Sequence, residues 1–187
     1  MAFITDGGGN VISFAEYTDV VQKDQRIFEA NELKIPAESG FNDVTEFIED
    51  ILEKPTTRIL IKIKASTWWQ AYVNYVGGSF QNLHNLPDVN PNNIKSRKQD
   101  FTDCAVFYGM AQYILPLIAD FSEEATSSEV QKIQYYNNKF NDRFEELLAL
   151  ADWYDYDGDG TVEDSEKAYS YSQNRRTRRK LNIVRVR

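Results

Sequence analysis

Apolar side chains recur every three to four residues along most of this chain, and the pattern predicts a helical protein. Ser13-Phe14-Ala15-Glu16 has the form of a capping box. Behind it Phe14, Tyr17, Val20, Val21 and Phe28 share one face, predicting a first helix near 14–30. Residues 31–41 form a connector with Pro36 and Gly40. Asp43-Val44-Thr45-Glu46 can cap a second helix, whose stripe is Val44, Phe47, Ile48, Ile51 and Leu52. Pro55 should stop it, because the residue before a proline is pushed out of the helical region. Ile59 to Lys64 alternates like a strand. The segment nevertheless runs on through Trp68, Trp69 and Val73 without a turn signal, so 57–76 reads as one helix ended by Gly77-Gly78.

An Asn-rich loop with Pro87 and Pro91 follows to about Lys95. Ser96-Arg97-Lys98-Gln99 opens a helix that buries Phe101, Tyr108 and Leu115, with Cys104 and Ala105 on or near that face. Pro116 should kink or shorten its last turn. The longest helix starts at Ser127 or Ser128 and runs to Trp153, burying Val130, Ile133, Phe140, Phe144, Leu147 and Leu148. It leads straight into an acidic loop, and a shorter helix leaves that loop near Asp164. Leu181 to Arg187 alternates again, as a short strand or extended arm. The expected fold is all-α. A body of about five helices occupies 1–154, a loop hairpin 155–173, and an extended arm 174–187.

The acidic loop, residues 155–166, is where spacing dictates a chemistry. Calcium is a hard cation that takes six to eight oxygens. Asp155, Asp157 and Asp159 stand at positions 1, 3 and 5 of an EF-hand-like calcium loop, and Gly160 at position 6 permits the sharp turn. The Thr161 carbonyl is the position 7 ligand, Glu163 binds directly or through water, and Glu166 closes the site as a bidentate carboxylate. Val162 is apolar where such a loop packs its short central strand. The plainer reading is a solvated acidic turn. One loop is present, whereas EF-hands usually pair, and two methionines give little of the Met-rich groove that calcium sensors expose.

Charge is unevenly placed. The chain has a net charge of −8, yet residues 174–187 carry seven Lys or Arg and no acid, leaving 14 basic against 29 acidic side chains elsewhere, a net of −15. Three readings of this basic segment stand together. It is a solvated end, an arm on a phosphate backbone, or a segment that docks on an acidic protein by strand addition. Arg175, Arg176, Arg178, Arg179, Lys180, Arg185 and Arg187 supply the charge, and Ile183 and Val184 give it an apolar core that purely electrostatic contact does not need.

Catalytic signals are sparse. His84 is the single histidine and Cys104 the single cysteine, so neither zinc nor an intrachain disulfide is expected, and Cys104 reads as a small core residue. The glycines at 7–9 precede no phosphate-cradling strand-loop-helix. Trp68 and Trp69 read as core or as a subunit contact. The first residues lack a basic-then-apolar leader and no apolar run approaches about 20 residues, so a cytosolic, non-membrane protein is expected.

In layout the chain resembles tailed-phage head-to-tail connector proteins, the adaptor rings beneath the portal. The features that carry the likeness are a first helix ending in the charged cluster Lys23-Asp24-Gln25-Arg26, a second helix with the stripe Val44 to Leu52, a long penultimate helix, and the basic arm 174–187. Together they span 13–187. The calcium loop departs from the family's pattern. The resemblance implies a virion neck protein, made in the host cytoplasm, with no catalytic site. It would form a ring of about twelve copies, bound to the portal and to a further neck or tail protein. DNA would pass through without specific binding, past a wall of like charge. The rival expectation is a calcium-binding regulatory or interaction module.

Overall fold

The computed structural model describes residues 3–26, 33, 35–36, 39–75, 85–119 and 128–163. The chain is mostly helical, with five α-helices and one small sheet among these residues. It forms two compact units, Met1–Ile59 with Lys98–Glu145 and Leu60–Arg97 with Glu146–Arg187.

The first unit begins with an antiparallel hairpin, β1 (Ile4–Thr5) and β2 (Val11–Ser13), which corrects the purely all-α expectation. Its turn is Asp6 to Asn10. The Asp6 carboxylate accepts the N–H groups of Gly8 and Asn10, at 2.9 and 2.8 Å, and Gly9 takes a left-handed φ of 82°. The hairpin delivers Phe14 to the core, where its ring meets Phe3 and Phe101. The Thr56 hydroxyl accepts the Phe14 N–H at 3.0 Å, and the Thr102 hydroxyl donates to the Phe14 carbonyl at 2.7 Å. Pinned on both sides, residues 14–16 stay outside the helix. Helix α1 (Tyr17–Lys23) therefore starts three residues beyond the expected place, and its cap is formed by Glu16, whose N–H donates to Asp19 Oδ2 at 3.0 Å. The charged cluster at its end is tied down within this unit: Lys23 pairs with Asp103 at 3.0 Å, and Asp24 with Lys132 at 2.7 Å.

Helix α2 (Val44–Ala65) runs through Pro55 rather than stopping there. A proline removes one helical hydrogen bond and crowds the carbonyl four residues back, at a cost of about 3 kcal/mol. Burial on both sides outweighs that cost. Ile48, Leu52 and Ile59 are fully buried, at about 25 cal/mol for each Å² of apolar surface removed from water. Pro55 is itself buried where α2 meets α4 (Lys98–Gly109). A Cβ at Gly109 would lie 3.2 Å from Leu52 and 3.3 Å from Pro55, so the approach is sized for glycine. The expected disturbance near Pro116 takes a definite form. After α4 the chain widens into a π turn, Met110–Ile114, then tightens into a 3-10 turn, Leu115–Leu117. Cys104 is fully buried in α4, as expected.

Helix α5 (Ser128–Leu150) buries Tyr136, Phe140, Phe144 and Leu147. Burial, with Asp24 and Tyr135 nearby, pushes the Tyr136 hydroxyl up to about 12 from its ordinary 10.0. The folded state thus holds this proton more tightly than the unfolded chain. Its contribution to stability is complete below pH 10 and is lost as the pH rises towards about 12. Tyr136→Phe should flatten this alkaline limb in denaturation curves taken across that range. Parallel wild-type and variant curves would contradict it.

In the second unit the expected single helix over 57–76 is divided at Ser66. The Ser66 hydroxyl donates to the Ile63 carbonyl at 2.6 Å and accepts the Trp69 N–H at 3.2 Å, which caps a new helix, α3 (Thr67–Tyr75). Residues 59–64, strand-like in sequence, are helical. Leu86, Val89 and Ile94 bury the following loop, and the Trp69 indole N–H donates to the Pro87 carbonyl at 2.9 Å. No helix among the described residues is long and apolar enough to cross a membrane.

Candidate metal centre

The aspartate loop lies in the second unit, and the way the chain enters it differs from the expectation. Helix α5 ends at Leu150 instead of Trp153. Ala151 takes a left-handed φ of 48°, and the Trp153 indole N–H turns back to the Leu147 carbonyl at 2.8 Å, which also accepts the Ala151 N–H at 3.1 Å. The chain then runs extended and pairs antiparallel with residues 93–95. Lys95 N–H donates to the Trp153 carbonyl at 3.0 Å, Asp155 N–H to the Asn93 carbonyl at 2.9 Å, and the Asn93 amide to the Asp155 carbonyl at 3.1 Å. Arg97 forks onto Asp152, with Nη2 at 2.7 Å from Oδ2 and Nε on Oδ1. A short strand held by a polar loop, and not the long helix, therefore presents the first aspartate.

Six aromatic rings gather around this strand. Trp68 lies 4.7 Å from Trp153 between centroids, Tyr72 stacks on Tyr156 at 4.4 Å, and Trp69 meets Tyr154 edge-on at 5.4 Å. Trp153 is fully buried and Trp69 is buried, which favours burial over subunit contact for the latter. Tyr154 and Tyr156 point from either side of Asp155 into this cluster, so aromatic packing and the start of the loop share one piece of backbone.

The Asp155 side chain is 0% exposed, and backbone N–H groups hold both its oxygens: Gly158 on Oδ1 at 2.7 Å and Gly160 on Oδ2 at 2.9 Å. Both glycines are left-handed, with φ of 79° and 98°, a conformation that costs other residues strain. Asp157 Oδ1 accepts the Asp159 N–H at 3.1 Å. Asp159 Oδ1 accepts the N–H and the hydroxyl of Thr161, each at 2.8 Å, and these bonds hold the Asp159 carboxyl below its ordinary value. One carboxylate oxygen from each of Asp155, Asp157 and Asp159 comes within 4.8 Å of the others. Calcium bonds oxygen at 2.3–2.6 Å, so oxygens on one ion are at most about 5 Å apart, and the triad fits that ion with hard donors alone. An open cleft of about 480 Å³ flanks the loop, lined by Lys95, Arg97, Asp152, Gly160 and Val162 among others.

Among the expected ligands, the structure brings together the three aspartates. Thr161 and Glu163 lie exposed further along the loop, and Glu163 is not in the carboxylate group. Glu166, the exiting helix near Asp164, His84, and the expected partner-binding residues Arg175, Arg176, Arg178, Arg179, Lys180, Ile183, Val184, Arg185 and Arg187 lie outside the described residues. Sequence reasoning missed Asn93 and the Arg97–Asp152 clamp. Their partners are 62 and 55 residues away, and a polar loop carries no local sign of such pairing. No protein-family model, curated protein or solved structure matches this chain.

Proposed function

We propose that this chain is a non-enzymatic structural protein of a tailed-phage neck, an adaptor that assembles as a ring beneath the portal and continues the DNA channel, with calcium as a structural ion. The observation that carries the reading is the anchoring of Asp155. Its backbone is fastened to Asn93 and its carboxylate to Gly158 and Gly160, close before the basic segment 174–187 in sequence. An ion on a ligand anchored in this way locks the direction of the chain rather than driving a large opening. That suits a fixed joint ahead of a docking arm better than a sensor. The helical body, the charged end of α1 and the acidic balance of residues 1–173 also suit an adaptor around DNA. The alternative is a calcium-binding regulatory or interaction module, which the single aspartate loop supports as far as ion binding goes.

In this reading Glu166 completes the coordination, and the arginines of 174–187 dock on an acidic partner while Leu181 to Arg187 adds as a strand. Incubation with a portal ring, followed by mass measurement, tests it. The full chain should shift the portal to a ring-sized adduct, and truncation after Gln173 should abolish the shift while calcium binding persists. A truncated chain that docks with unchanged affinity in moderate salt would remove the arm from the mechanism. A full chain that never binds a portal, yet changes affinity for another protein with calcium, would favour the regulatory module.

A further inference from the structure

Three aspartates stand directly before a glycine: Asp6, Asp157 and Asp159. In such a pair the glycine nitrogen can attack the aspartate side-chain carboxyl carbon, because no side chain on the glycine blocks the approach. A C–N bond forms, water leaves, and a succinimide ring results. Water then opens the ring. Breaking the new C–N bond returns aspartate. Breaking the original peptide bond leaves the chain running through the side chain, as isoaspartate. The water lost is regained, so no other reactant is needed. Attack requires a carboxyl group that can turn and a nitrogen that can be reached, and the structure restrains the three pairs differently.

In the metal loop both partners of each pair are tied. The Gly158 N–H donates to Asp155 Oδ1 at 2.7 Å and the Gly160 N–H to Asp155 Oδ2 at 2.9 Å, and Asp155 is fully buried. Asp157 accepts the Asp159 N–H at 3.1 Å, and Asp159 accepts the N–H and hydroxyl of Thr161 at 2.8 Å. Reaction there waits for the backbone to open. In the hairpin turn only the carboxylate is tied. Asp6 accepts the N–H groups of Gly8 and Asn10 and the Asn10 side-chain amide, at 2.9, 2.8 and 3.0 Å. The turn is exposed, so water replaces these bonds when the side chain rotates. The Gly7 N–H has no acceptor among the described residues.

We propose that Asp6 is the one of these three aspartates that converts to isoaspartate in the folded chain, and that Asp155 protects the other two. The protecting bonds run within the chain and do not require calcium. Conversion at Asp6 adds a methylene to the main chain and exchanges the places of its two carbonyl groups. The turn uses both: the main-chain carbonyl accepts the Gly9 N–H at 3.0 Å while the carboxylate holds Gly8 and Asn10. It cannot close in the same form afterwards. The hairpin that sets Phe14 against Phe3, at 4.7 Å between ring centroids, should therefore loosen.

Ageing the full chain for weeks at body temperature in chelator, then mapping its peptides by electron-transfer fragmentation, tests this. Isoaspartate should accumulate at Asp6, and at least about tenfold more slowly at Asp157 and Asp159. In guanidinium the three should convert at comparable rates, since the fold alone separates them. Gly7→Ala adds a methyl group with nothing within 4 Å of it, so the variant should fold normally and convert severalfold more slowly at Asp6. Asp155→Asn has one oxygen left for two N–H groups. It should speed conversion severalfold at Asp157 or Asp159, with Asp6 and the helical circular dichroism unchanged. A wild type in which Asp6 converts no faster than the loop aspartates overturns the proposal. So does an Asp155→Asn chain whose loop aspartates both keep the wild-type rate.

Discussion

Asp155→Ala should lower calcium affinity by at least about a hundredfold and loosen the loop even in chelator. The substitution removes the position 1 ligand and takes both acceptors from the Gly158 and Gly160 N–H groups. Hydrogen bonds to a charged group are worth about 1.5–3 kcal/mol each, so the apo loop weakens as well. Asp157→Asn, at an exposed position, should reduce affinity with little effect on the fold. Calorimetry measures the affinity. Equal calcium heats for wild type and Asp155→Ala would place the ion elsewhere. In the wild type, ion at about a hundred times its dissociation constant should add about 2.7 kcal/mol to whatever unfolds with the site. Hydrogen exchange should show which residues those are. Protection should rise across 85–97 and 151–163, which share the Asn93 and Lys95 bonds, and stay level across 44–59 and 98–119. An equal rise in both sets would mean that the ion supports the whole chain.

Trp153→Ala should be the most destabilising single change in the second unit, by about 3–5 kcal/mol. Its ring is fully buried against Trp68 and Tyr154, and its N–H closes the last turn of α5 on the Leu147 carbonyl. Alanine leaves a cavity and removes one of the two hydrogen bonds that the Leu147 carbonyl accepts. Trp153→Phe should recover much of the packing and none of the hydrogen bond. Denaturant titration measures both, and a loss under about 1 kcal/mol for alanine would show that the cluster closes over the gap. Trp153 lies two residues before Asp155, so the alanine variant should also bind calcium more weakly while keeping every proposed ligand.

Legibility in the sequence followed the range of the interactions. Helices α2 and α5 were visible because their apolar stripes lie within the element, and the aspartate triad because six consecutive residues specify it. Pro55 misled because a local rule met burial by distant residues: Gly109 leaves the room and α4 the cover. The hairpin leaves little trace in the sequence although Asp6 to Asn10 is a good turn sequence, since two- and three-residue strands carry almost no alternation. The end of α5 is masked in the sequence because its apolar pattern continues through Trp153, whereas the chain leaves the helix at Ala151 to pair with 93–95. The aromatic residues around Asp155 were plain to see, but their partners on α3 were not, for a stretch of Trp and Tyr does not say which rings it will meet.

The solitary thiol gives the first unit a clock. Cys104 has no rival in the chain and no exposed surface in α4. An external disulfide reagent can reach it only when the residues around it open. If opening and closing are fast, the labelling rate divided by that of a free thiol reads out the fraction open; at high reagent it saturates at the opening rate itself. The aspartate loop lies in the other unit, which has no thiol to confuse the signal. Labelling with and without the ion therefore shows whether calcium at the second unit changes how often the first one opens.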